Sequence, residues 1–155
     1  MAAALAPLCR VGDVLLLTGG LGSGKTTFAQ GFGAALGVRE PIVSPTFTLV
    51  RQYRLPDPDG DRPRQLLHGD LYRLSHRREV DDLGLAQLVE DGGVALVEWG
   101  EAAQPVLGDD WLRVDLVPEP EHESRRTIRL VARGGSWPAR WRSVEETLAP
   151  WRTAS

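Results

Sequence analysis

VLLLTGGLGSGKTTFAQGFGAALG, residues 14–37, is the stretch from which the fold follows. From Val14 the chain is continuously apolar for four residues, as in a strand buried on both faces, and then enters a glycine-rich turn. Beyond the turn, Phe28, Phe32 and Leu36 recur at helical spacing, and Gly37 follows where a helix C-cap is expected. Strand, glycine turn and helix in this order predict an α/β domain with its working loop at the turn.

The turn itself, Gly19 to Thr26, matches G-x-x-x-x-G-K-[ST]. Glycines let such a loop curl until its backbone N–H groups converge on phosphates, and the following helix directs its positive N-terminus to the same point. Gly19, Gly22, Ser23, Gly24, Lys25, Thr26 and Thr27 are therefore the candidate nucleotide-binding residues, with Lys25 reaching the β- and γ-phosphates and Thr26 a ligand of Mg²⁺. Of the 18 basic residues, Lys25 alone is lysine. Arginine supplies every other positive charge, so the one ammonium stands where a compact rotatable cation is required.

Outward from this unit, SPTFTLVRQYRL alternates and precedes the turn LPDPDGDRPR, after which QLLHGDLYRL returns as an antiparallel partner. Residues 79–91 read as one or two short helices interrupted at Gly84. VALVEW, residues 94–99, is a second buried strand with Glu98 and Trp99 at its C-terminal end, where ligands bind in a parallel sheet. WLRVDLV and RRTIRLVAR read as two more strands joined by the acidic loop PEPEHES, and a helix closes the chain over about residues 136–151. The expectation is one three-layer α/β domain of the P-loop NTPase kind over residues 1–155, its sheet mixed, parallel around the loop and antiparallel at one edge.

Composition limits the function. A chain of 155 residues with 42% hydrophobic content suits one core. Its formal charge of −3 offers no broad basic field for a nucleic-acid backbone, so any tRNA would be held through a partner. Cys9 is a lone cysteine, which excludes an internal disulfide. MAAALAPLCRVG lacks a basic n-region and its apolar run is broken by Pro7, so the expectation is a soluble, cytoplasmic protein.

A loop of this kind needs an acid at the end of a neighbouring strand to hold the metal or orient the attacking water, and Glu98 fits. Asp70, in HGDLYR, is a second acid at a strand end, to be weighed against a turn or salt-bridge aspartate. Thr46 reads from its position alone as a solvent-facing strand threonine, with a nucleotide-sensing switch as the alternative. His68 and His76 lack metal-ligand spacing and read as structural or surface residues. Asp81 to Gly84 fits D-x-x-G but follows no buried strand, and an N/T-K-x-D guanine motif is excluded because the one lysine is already used.

GGLGSGKTTFAQGF, SPTFTLV, HGDLYRL, LGL and VEWGE, in this order, resemble the bacterial TsaE family (also called YjeE) over roughly residues 13–134. The resemblance implies a small ATPase that supports formation of the threonylcarbamoyl-adenosine modification in tRNA with the TsaB and TsaD proteins. It implies Thr26 and Glu98 as Mg²⁺ ligands, Thr46 as a switch residue, Asp70 as a catalytic or metal-orienting acid, and Trp99 packed at the site or sensing a partner. It also implies an arginine on the adenine, Arg126 or its neighbour Arg125. The chain departs from the family at Gly20, usually Asp, and in the dozen residues before Val14, usually a longer segment with an early strand and helix. Two alternatives share the loop: a small-molecule or nucleoside kinase, and a nucleotide-gated binding module with negligible turnover.

Overall fold

The structure is a computed structural model that describes residues 1–45, 49–56, 60–71, 74, 76–98 and 104–152, without the side chains of Arg77, Gln104 and Glu123. The apolar run at residue 14 is strand β1 (Val14–Thr18), and the residues after the glycine turn form α2 (Lys25–Leu36), preceded near the N-terminus by the short helix α1 (Ala2–Leu5). Gly37 ends α2 at φ +92°, a left-handed conformation in which its N–H returns to Ala34 O and only glycine is unstrained.

Strands β2 (Val50–Arg54), β3 (Gln65–Asp70), β4 (Gly93–Glu98), β5 (Trp111–Glu119) and β6 (His122–Arg133) complete one six-stranded sheet in the order β2-β3-β4-β1-β5-β6. β3, β4, β1 and β5 run parallel, so their C-terminal ends lie along one edge. Short helices α3 (Arg77–Asp81), α4 (Leu85–Glu90) and α5 (Gln104–Leu107) fall between β3 and β5, and α6 (Ser136–Ala139) and α7 (Trp141–Leu148) follow β6. The two helices on either side of Gly84 match the expected interruption there.

Strand alternation divides the core in two. Leu15 and Leu17 of β1 join Leu66, Leu96 and Leu112 against Phe28 and Phe32 of α2 and Trp137, Val144 and Leu148 of the C-terminal helices. Val14 and Leu16 point the other way, with Leu67, Ala95 and Val97 against Val80, Leu85 and Val89 of α3 and α4. The result is a three-layer α/β arrangement with the sheet in the middle. Burial of side chains such as Phe32 and Leu17, at 0% exposure, contributes about 1.5–3 kcal/mol each. That exceeds any exposed ion pair of the Arg142–Glu146 kind, worth about 0.3–0.5 kcal/mol, so packing is what holds α2 and its loop on the sheet.

Two expectations need correction. The sheet is antiparallel at both edges: β2 pairs antiparallel with β3, and β6 antiparallel with β5. Alternating polarity marks a strand but carries no direction, and the short β5–β6 connection is what forces the second reversal. The acidic loop is also largely absorbed into the hairpin, since β5 runs to Glu119, β6 starts at His122 and Glu119 pairs with His122. No described helix is long and apolar enough to cross a membrane.

Candidate functional site

Of the residues named by sequence, the glycine loop, Asp70 and Glu98 converge at the C-terminal edge of the parallel strands. Asp70 ends β3 and Glu98 ends β4, and the two are direct register partners. β1 lies on the other side of β4 and delivers the glycine loop to the same edge. A cavity of about 600 Å³ results, lined by Leu21, Gly22, Ser23, Gly24, Lys25, Thr26 and Thr27 of the loop and helix start, and by Ser44, Asp70 and Glu98 opposite.

The loop geometry depends on glycine at its entrance. Gly19 has φ +144°, and a Cβ there would lie 2.5 Å from Ser23 Oγ and 2.7 Å from Leu116 O, so no other residue fits. Gly20 differs: a Cβ built there meets nothing within 4 Å, so the space for a side chain exists where this chain has none. At the end of β1 the Thr18 hydroxyl donates to Asp115, which also pairs with Arg113 at 3.0 Å, tying the loop entrance to β5.

Lys25 is almost fully buried, and its Nζ donates to Gly19 O at 2.8 Å and Gly20 O at 2.9 Å. The Ser23 N–H also points to Gly20 O, at 3.1 Å. An ammonium and a backbone N–H thus converge on one oxygen inside the loop, the arrangement of donors that a phosphate oxygen would meet. Arg126, expected at the base, donates from Nε to Ser23 O at 2.9 Å and from Nη2 to Gly22 O at 3.3 Å. Arg125 is exposed.

Two contacts in the site escaped the sequence reading, which took His68 as a structural or surface residue and did not weigh Ser44. His68 is fully buried and its Nε2 lies 2.9 Å from Glu98 Oε1. The available signal was alternation, which puts His68 two residues before Asp70 on the same strand face. Ser44 donates from Oγ to Asp70 Oδ2 at 3.2 Å, a contact that no spacing announces. Thr46 and Trp99 lie outside the described residues.

The donor set suits a hard cation. Thr26, Asp70 and Glu98 bring a hydroxyl and two carboxylates to one cavity, and Mg²⁺ in phosphate sites takes one or two such oxygens with the rest from phosphates and water. Among the described residues no group of three or more His, Cys, Asp or Glu is placed to hold a metal alone.

A family model described as "Threonylcarbamoyl adenosine biosynthesis protein TsaE" matches residues 1–128. The chain is 38% identical over 132 residues to the tRNA threonylcarbamoyladenosine biosynthesis protein TsaE of Bacillus subtilis, covering 85% of this chain and 77% of that one. It is 40% identical over 136 residues to the protein of the same name from Streptomyces coelicolor, covering 86% and 88%. A crystal structure of Bacillus subtilis YdiB superposes with a TM-score of 0.70 at 31% identity, over 97% of this chain and 85% of that one.

Proposed function

The chain belongs to the TsaE family of threonylcarbamoyl adenosine biosynthesis proteins, and from that premise we propose that it binds ATP with Mg²⁺ and hydrolyses it in support of the threonylcarbamoyl modification of tRNA adenosine. It works with TsaB and TsaD in the cytoplasm, and tRNA is engaged through that partner complex. The observation that carries the reading is the shared cavity, in which the only lysine of the chain and two register-paired carboxylates face the same space.

In this account Lys25 Nζ and the Ser23 N–H exchange the carbonyl of Gly20 for phosphate oxygens, and the other loop N–H groups cradle the phosphates. Thr26 and Glu98 are the residues that would hold Mg²⁺. When bound, the metal neutralises charge on the phosphate oxygens during transfer. Asp70 orients the attacking water, whose oxygen bonds to the γ-phosphorus as the bond to the β–γ bridging oxygen breaks. Hydrolysis differs from kinase chemistry in the acceptor alone, so partner dependence is the discriminating property.

Phosphate release from ATP, followed with and without TsaB and TsaD, tests the proposal. Release that rises with the partners is expected. Release indifferent to them but stimulated by a metabolite, or ATP binding without release in any mixture, would contradict it.

A further inference from the structure

Gly22 and Gly24 have φ of +73° and +101°, and between them lie the two peptide planes that join Gly22 to Ser23 and Ser23 to Gly24. Each of these planes has a glycine on one side, which leaves it free to rotate, and a phosphate cradle binds more tightly when that freedom is removed before the ligand arrives. The Ser23 side chain does not remove it, since its Oγ is buried with no hydrogen-bond partner among the described residues. What holds the two carbonyls is Arg126, through Nε on Ser23 O and Nη2 on Gly22 O.

Alternation along β6 explains why Arg126 makes this contact and its neighbour does not. Ile128, Leu130 and Ala132 pack against the core layer of α2, and Arg126 continues that row by two residues until the core ends and the loop begins. Its Nη1 is anchored on Arg125 O at 2.7 Å, which steadies the guanidinium against its own strand. Arg125 falls on the opposite face.

We propose that Arg126 is a positioning residue of the phosphate-binding loop, fixing the Gly22 and Ser23 carbonyls so that the Ser23 and Gly24 N–H groups point inward to the phosphates. In a trans peptide the carbonyl and the N–H point in opposite directions, so a carbonyl pinned to Arg126 turns the next N–H away from it. The Ser23 N–H already shows this orientation, directed inward to Gly20 O. A planar guanidinium spans two carbonyls at once, whereas an ammonium on a flexible stem does not reproduce that fork. This inference rests on the phosphate-binding reading of the loop, and it assigns Arg126 to the loop in place of the adenine.

Equilibrium titrations of the full chain with Mg²⁺ and inorganic tripolyphosphate, and in parallel with MgATP, separate the possibilities. Arg126→Ala is expected to weaken both ligands by the same factor, about tenfold for loss of a charge-assisted contact pair. Arg126→Lys, which keeps the charge and loses the fork, is expected to lose most of the same affinity. Arg129→Ala, an equal change of charge at an exposed position on the opposite face of β6, is expected to bind as the unsubstituted chain does. A loss confined to ATP with tripolyphosphate unaffected would move Arg126 to the base and overturn the proposal. Unchanged binding of both ligands, or full affinity in Arg126→Lys, would overturn it as well. If the unsubstituted chain bound neither ligand, the phosphate-binding reading itself would fall, an outcome distinct from failure of the arginine alone.

Discussion

His68 Nε2 lies 2.9 Å from Glu98 Oε1, with both side chains removed from solvent. The contact is diagonal across the sheet, because the register partner of His68 is Leu96 and that of Glu98 is Asp70. A carboxylate only accepts, so Nε2 carries the proton, and Nδ1 has no hydrogen-bond partner among the described residues. One oxygen of Glu98 is thereby fixed, and the side chain is oriented toward the cavity it lines.

If this bond aims Glu98 for the proposed hydrolysis, His68→Phe should lower partner-stimulated turnover by about tenfold, the worth of one hydrogen bond to a charged group. ATP affinity should stay unchanged. His68→Gln, whose amide N–H can reach the same oxygen, should recover much of the rate. Steady-state phosphate release and equilibrium titration of the same samples check this, and equal loss of rate and affinity would count against a positioning role.

Glu98→Gln keeps the shape and removes the charge. It should spare ATP binding more than hydrolysis, which should fall by about a hundredfold, the scale of losing one electrostatic stabiliser of the transferred group. Single-turnover assays with TsaB and TsaD present read this directly, and parallel loss of binding would make Glu98 chiefly a structural residue.

Arg140 ties the C-terminal helices to the start of β1. Its guanidinium pairs with Asp13 at 2.6 and 2.9 Å, donates to Leu8 O, Ser136 O and Ser136 Oγ, and lies 4.2 Å from the centroid of the Trp137 ring. All five donors are used. Arg140→Ala leaves the buried Asp13 carboxylate without this partner and should cost about 3–5 kcal/mol. The thermal midpoint should fall by roughly 10 °C in a domain of this size. Adding Asp13→Asn should recover part of the loss by removing the stranded charge, and strict additivity in thermal denaturation would contradict the coupling.

Burial pushes the Cys9 thiol well above its ordinary value, the nearby Asp13 carboxylate adds to the rise, and Arg140 partly opposes it. The folded state therefore holds the thiol proton more tightly than the unfolded chain. The associated stability is complete below the unfolded thiol value, about 8.5, and is lost as pH climbs toward the folded value. Unfolding free energy should decline above about pH 9 in the unsubstituted chain and decline less in Cys9→Ala. Denaturant titrations across that range provide the check; identical pH slopes would contradict it.

The β1-loop-α2 unit was legible because each of its parts has a local cause: a continuous apolar run, obligate glycine geometry at Gly19, and helical spacing from Phe28 to Leu36. Asp70 and Glu98 were legible as strand-end acids, but their direct pairing was not, because register between β3 and β4 is a long-range property. The same distance hid His68, thirty residues from Glu98 in sequence. Alternation could have chosen Arg126 over Arg125 if the inward row of β6 had been identified from Ile128 and Leu130. The pairing of β5 with β1, which makes the β5–β6 hairpin an edge of the same sheet, was beyond local reading, since β1 lies nearly a hundred residues earlier.

In the proposed function the loop from Gly19 to Thr26 binds ATP through the chain's one lysine. Equilibrium titration of Lys25→Ala with MgATP tests it most directly, alongside thermal denaturation to establish that the variant is folded. A folded Lys25→Ala chain that no longer binds ATP is the expected result; a folded variant that binds as tightly as the unsubstituted protein would contradict the assignment.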